Sequence, residues 1–484
     1  PINDLNDTYV NFDGITYAKG ASVLKQLVYY VGREKFFQGI NQYLNKYAYS
    51  NATLADLLHE LEKASDRDLK AWSAKWLEES GINTIATEVE ENADGTIASL
   101  TLNQTAPAEH PVLRPHRLAV GFYDEDPATG KIVRTDRFEL DVDGESTVVA
   151  AAAGKKRPAF ILVNDDDLTY TKLRFDADSL SFALANLQRF DDALARAVVW
   201  LSLWDMTRDG DLAAEKFIDT TLALLATETE STTFRYALSC MSTTAWHYTA
   251  PDRRADVVKH IAKELWKLVI AAPGGSDQQF QLVTAYLGYG EEGDAEFAEH
   301  AQGLFDGSLI VAGLEIDNNF TWTIINALSS VKLIDQAGID AQLAKRDTTE
   351  NREFALGAHA VRGDAAAKEW AWNEALNNAD LTNMQLEAVA RGFGATPRPD
   401  LAEPYAAKYY DVVDWVWKNK SFHMAEALLE GLYPYYADPA TLVELGHRWL
   451  TDHEDADNAL KRIVRGNVES SQRTLKVRDF NAAL

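Results

Sequence analysis

The spacing of apolar residues changes period twice along this chain, and those two changes limit its fold more than any other feature. After Gly14 the run Val23, Leu24, Leu27, Val28 and Val31 repeats at helical spacing and closes at Gly32, as an amphipathic helix with one buried stripe does. A second helix is expected from about Glu34 to Lys46. A third should begin after Ser50, Asn51 and Thr53, which are capping residues, with Leu54, Leu57, Leu58 and Leu61 on one face. Asp68 to Glu78 then sets Trp72 and Trp76 one turn apart.

Near Gly81 the period falls to two. Thr96–Leu102, Arg117–Tyr123, Lys131–Leu140, Ser146–Ala150 and Ala159–Val163 read as short strands, separated by turn signals at Asp94-Gly95, Asp126-Pro127, Asp143-Gly144 and Lys156-Arg157-Pro158. These predict a small β-sandwich. From about Asp178 the helical period returns and lasts to the end, with turns such as Thr207-Arg208-Asp209-Gly210, Pro273-Gly274-Gly275 and Pro397 to Pro399. Many similar helices joined by short polar turns favour a stacked, solenoid-like array with a concave face. The fold class expected is mainly α with a small β-sandwich.

Charge and cysteine content narrow the partners. The 484 residues carry 74 Asp and Glu against 47 Lys and Arg, a formal net charge of −27, which repels a nucleic-acid backbone or an anionic membrane surface. Neither partner is expected. Cys240 is the only cysteine, so no intrachain disulfide, cysteine zinc cluster or redox pair can form, which fits a cytoplasmic protein. No apolar run reaches the roughly 18 residues of a membrane helix. Asn-x-Ser/Thr sequons at Asn6, Asn51, Asn103, Asn319 and Asn419 are assigned no role. The chain starts at Pro1 and enters patterned sequence at once, as a piece of a longer protein would.

The common catalytic patterns are missing. A zinc hydrolase helix sets two His four residues apart with a Glu between, but His59-Glu60 is followed at that spacing by Lys63 and His453-Glu454 by Asp457. His110 and His116 share a Pro-flanked stretch without a third ligand, so structural roles are expected for both. Asn164-Asp165-Asp166-Asp167 reads as an acidic turn, because the ligand spacing and glycine of a calcium loop are absent. Neither a phosphate loop nor a Gly-x-Ser-x-Gly elbow occurs.

What stands out is Ile15-Thr16-Tyr17-Ala18-Lys19-Gly20-Ala21-Ser22. A Tyr at the mouth of a helix is either a packing residue or a phenol placed to donate to an oxyanion forming on a carbonyl. Here the chain resembles the M1 zinc aminopeptidases, in which a Tyr-x-Lys-Gly segment follows the zinc helices. The resemblance continues through Gly32, Phe36, Gly39 and Tyr43, then Leu54-Ala55-Asp56-Leu57, Trp72, Trp76-Leu77 and Ser80-Gly81. Gln104-Thr105-Ala106-Pro107, Arg114-Pro115-His116-Arg117 and Asn164 to Tyr170 look like the actinobacterial aminopeptidase N type within that family.

The resemblance implies a catalytic role for Tyr17 alone, stabilising the tetrahedral intermediate, while Lys19 and Gly20 shape the turn. It implies zinc in the full-length enzyme, yet the His-Glu-x-x-His motif, its downstream Glu and the Gly-x-Met-Glu-Asn strand are absent from this sequence. No metal ligand or cofactor-binding residue is therefore assigned, and the chain alone is expected to be inactive. Residues 1–83 would be the C-terminal helical part of a thermolysin-like catalytic domain, 84–175 a β-sandwich, and 176–484 a HEAT-like α-helical domain enclosing the active site. Expected partners are peptide substrates and the missing N-terminal part of the same enzyme. The alternative is a non-catalytic helical scaffold that binds a protein partner.

Overall fold

The computed structural model describes residues 15–484, with side chains from Tyr17 onward. The start at Pro1, the sequon at Asn6 and the turn residue Gly14 lie outside the described residues. Two compact units emerge, one running up to Met206 and one from Thr207 to Leu484. The protein is mainly α with a small β-sandwich.

The first unit opens with helices Gly20–Val31, Arg33–Lys46, Leu54–Ser65 and Leu69–Ser73. The third begins where the capping residues predict. Thr53 accepts from the Asp56 amide while the Asp56 side chain takes the Thr53 amide, which satisfies two otherwise orphaned donors. Helices Arg33–Lys46 and Leu54–Ser65 approach closely at Gly39, where a Cβ would meet Leu61 Cδ2 at 2.7 Å. Their shared core holds Val23, Leu27, Leu58, Leu61, Trp72 and Trp76.

Seven strands follow: β1 (Thr84–Glu91), β2 (Ile97–Thr105), β3 (His116–Glu125), β4 (Ile132–Val142), β5 (Ser146–Val148), β6 (Phe160–Val163) and β7 (Lys172–Arg174). They form one sheet of order β5-β2-β1-β7 and another of order β4-β3-β6. Pairing is antiparallel except for β1 with β7. Five strands lie where the alternation placed them, within a few residues. β1 and β7 were not expected: β1 dissolves into Glu88-Val89-Glu90-Glu91, and β7 has three residues, too few to show a period. β3 is buried from Leu118 through Tyr123 without alternating, because helix Gly20–Val31 packs against it.

In the second unit, alternate helices stack on one another. Asp277–Leu287 packs on Asn318–Ser330, that helix on Thr349–Ala360, and so on through Asn383–Gly394 and Phe422–Gly431 to Asn458–Ala482. Glycines let backbones meet: a Cβ at Gly392 would lie 2.6 Å from the Gly357 carbonyl oxygen. The last helix reaches back to the start of this unit. Asn481 Oδ1 accepts from the Ala214 amide at 2.8 Å, and Arg478 Nε donates to the His247 carbonyl at 2.8 Å. An open solenoid would leave its ends apart; here side chains of the last helix join them. No helix is long and apolar enough to cross a membrane among the described residues.

Candidate active site

Tyr17 stands on a π-helical turn, Ile15–Lys19, that runs directly into helix Gly20–Val31. Lys19, at the junction, has ordinary right-handed helical angles, so the segment from Ile15 to Val31 is unbroken. Single π turns often mark functional positions. Tyr17 is 62% exposed, and its helix buries the opposite side through Val23, Gln26, Leu27 and Val31. Lys19 is half-buried, and burial followed by the charge of Arg114 lowers its pKa.

Arg114 is itself fully buried, and burial lowers its pKa against the opposing charge of Glu79. Its guanidinium donates to the carbonyls of Lys75 (2.9 Å), Glu79 (2.9 Å) and Ser80 (2.8 Å) and lies over the Trp76 ring. Trp76 Nε1 in turn donates to the Pro115 carbonyl at 3.1 Å. One arginine thus satisfies the carbonyls that end the first helical stretch.

A second buried polar group ties the helix of Tyr17 to the sheets. Gln26 Oε1 accepts from the Tyr170 amide at 3.0 Å and lies 3.0 Å from Thr169 Oγ1. Thr169 Oγ1 is 2.8 Å from His116 Nδ1, and His116 Nε2 is 2.9 Å from Gln104 Oε1. The Gln104 amide nitrogen donates to the Gly144 carbonyl at 2.8 Å, so its oxygen faces His116 and Nε2 carries the ring proton. Burial first, then the charge of Arg114, pushes His116 down to about 3. It is neutral, so Nδ1 accepts, and the single Thr169 hydroxyl hydrogen has two acceptors in reach, Nδ1 and Gln26 Oε1.

His116 is therefore a core residue, in line with the structural role expected from the lack of a third ligand, and His110 is exposed beside Gly81. The segment Asn164 to Asp167 is an acidic turn. Asn164, Asp166 and Asp167 have positive φ, and Asn164 Oδ1 accepts from the amides of Leu168 and Thr169. Its carboxylates meet protein cations: Asp165 and Asp166 pair with Arg134, and Asp167 with Lys25 at 2.9 Å. Glu60, beside His59, pairs with Lys46 and Lys63. His453 Nε2 pairs with Asp414.

Among the described residues no group of three or more His, Cys, Asp or Glu side chains is placed to hold a metal ion. Gln26 was missed in the sequence. The signal was a polar residue on the stripe of Val23 and Leu27, where an apolar side chain belongs.

Comparisons with known proteins agree with this architecture. Residues 160–473 match the family model of the ERAP1-like C-terminal domain, and residues 1–76 match that of the peptidase family M1 domain. Aminopeptidase N of Streptomyces lividans is 38% identical over 488 aligned positions, covering 100% of this chain and 56% of that protein. The mitochondrial aminopeptidase 2 of Saccharomyces cerevisiae is 30% identical over 195 residues, 37% of this chain and 19% of its own length. A crystal structure of Legionella pneumophila aminopeptidase A in complex with aspartic acid shares the fold. Its TM-score is 0.62 at 14% identity, covering 95% of this chain and 57% of that one. The chain thus spans little more than half the length of its long matches.

Proposed function

The chain belongs to the family of the ERAP1-like C-terminal domain, with a peptidase family M1 stretch at its N-terminal end, and on that premise we propose that it is the C-terminal part of a zinc metallo-aminopeptidase that removes N-terminal residues from peptides. The observation that carries this reading is Tyr17, exposed on its π turn, inside the M1-matching residues, at the mouth of a helix packed on a buried core. In this reading the Tyr17 phenol donates a hydrogen bond to the oxyanion that forms when the scissile carbonyl becomes tetrahedral.

The described residues do not fit a zinc ion, since no cluster of ligands is present among them. When bound in the full-length enzyme, zinc would act as a Lewis acid, held by residues outside this chain, and no step is assigned to it here. We assign residues 1–83 to the thermolysin-like domain, 84–175 to the sandwich and 176–484 to a HEAT-like domain that encloses the site. A cytoplasmic location is part of the same reading, supported by Cys240 being the only cysteine of the sequence, which leaves no intrachain disulfide to form.

The test is cleavage of an aminoacyl fluorogenic amide, with metal content measured alongside. The chain alone should bind no stoichiometric zinc and cleave nothing, while the full-length enzyme should do both. Chelator-sensitive cleavage by the chain alone would overturn the assignment.

A further inference from the structure

We propose that Gln26 is a positioning residue for Tyr17: its buried amide oxygen fixes the axial register of helix Gly20–Val31 against the loop before β7, and so the place of the phenol. This rests on the reading of Tyr17 given above. Gln26 is 3% exposed on the core face, where Leu or Met would pack without burying an amide. Among the described residues its Nε2 has no hydrogen-bond partner, so the side chain is not there for full polar satisfaction, and burying it carries a cost. What it does supply is an acceptor for the Tyr170 amide at 3.0 Å, backed by the Thr169, His116 and Gln104 relay.

Tyr30, at the far end of this helix from Tyr17, stacks on Trp72 and lies under Arg67; the remaining ties are less exacting. Val23, Leu27 and Val31 contribute burial that is non-directional and tolerates sliding and rotation. Lys25 with Asp167 is an exposed pair, 40% and 44% by side chain, and such pairs constrain little. A hydrogen bond to a backbone amide is directional and sets one register.

Continuity makes the register matter. Tyr17 lies nine positions before Gln26, and no break in helical backbone separates the π turn from Gln26. A slide of the helix by about 1 Å once the tie at Gln26 is lost therefore moves the Tyr17 end by about the same amount, a displacement that can cost catalysis on the order of 100-fold.

The experiment uses the full-length zinc-loaded enzyme with Gln26→Met, which keeps the packing volume and removes the acceptor, alone and combined with Tyr17→Phe. Gln26→Met should lower kcat about tenfold with KM changed by no more than about twofold, and should lower it no further in the Tyr17→Phe background. Melting temperature should fall equally in both backgrounds, which separates the structural cost from the positional one. If Tyr17→Phe is impaired but Gln26→Met is silent or multiplies its loss in full, Gln26 does not position Tyr17. If Tyr17→Phe keeps wild-type kcat, the reading of Tyr17 fails and this inference with it. Should Gln26→Met not fold, Thr169→Val serves in its place: a smaller kcat loss, again absent in the Tyr17→Phe background, is expected, and full additivity overturns the proposal.

Discussion

Two helical regions of this molecule use their apolar residues differently. In residues 17–77, Tyr17, Leu24, Phe37, Leu44, Tyr49, Leu54 and Leu77 are exposed. The far longer stretch from Thr207 to Leu484 has only eight such side chains, among them Ile270, Ile310 and Met384. Both have a working core: Trp72 and Trp76 anchor the first, and Trp372, Tyr409, Tyr433 and Trp449 lie in that of the second. The second region covers its own helices by stacking alternate ones, whereas the first buries one face and leaves another apolar. A concentration of exposed apolar side chains marks an interaction surface, and here it falls within or beside the residues that match the M1 peptidase domain.

The most severe way to probe this contrast is to damage the core of the first region. Trp72 is 2% exposed and lies 6.1 Å from the Tyr30 ring and 6.2 Å from that of Trp76. Trp72→Ala should cost about 3–5 kcal/mol in urea unfolding. A loss below about 1 kcal/mol would mean that the first region has no independent core.

In the second region the counterpart is polar. Lys368 is 2% exposed, and its Nζ has four acceptors within hydrogen-bonding distance for at most three N–H groups: the carbonyls of Ala360, Gly392 and Phe393 and Thr396 Oγ1. Burial pushes Lys368 down to about 7, and this one nitrogen serves the ends of two stacked helices. Lys368→Met should cost about 2–4 kcal/mol, because buried acceptors lose their donor. A neutral substitution would show that stacking does not depend on it.

Acid acts on the unit that ends at Met206 through His116, on β3, and on the unit that begins at Thr207 through His247. Burial holds His116 at about 3 and His247 at about 4, both below the ordinary 6.5, with nearby arginines adding to the effect. Each is neutral in the folded protein, while the unfolded chain takes up a proton below about pH 6.5. Stability is therefore present above that pH and lost as pH falls toward 4, by about 2 kcal/mol per histidine at pH 5. Thermal unfolding at pH 7 and pH 5 measures this, and a flat profile would contradict neutral burial.

The smallest effect belongs to the exposed face itself. Leu24→Ser or Leu44→Ser should change the stability of this chain by no more than about 0.5 kcal/mol, yet should destabilise the full-length enzyme more. Equal effects in the two would mean that nothing covers the face.

Much of this was legible in the sequence where local chemistry dominates. The Thr53 cap, the Gly32 stop and five of the strands followed from residues that specify their own conformation. β1 was not, because its last four residues, Glu88-Val89-Glu90-Glu91, read as a solvated run and only its pairing with β2 and β7 reveals a strand. The return of helix Asn458–Ala482 to Ala214 and His247 was hidden too, since contacts more than 200 residues apart leave no local period. Tyr17 could be placed at a helix mouth from the pattern after Gly14. Gln26 broke the apolar stripe of the same helix, but only the structure gives that break a partner, the Tyr170 amide.

The measurement that bears most directly on the account is turnover of the full-length enzyme carrying Tyr17→Phe. Loss of one oxyanion donor should lower kcat on an aminoacyl amide by on the order of 100-fold or more, with peptide affinity little changed. Wild-type turnover in that variant would contradict the assignment of Tyr17.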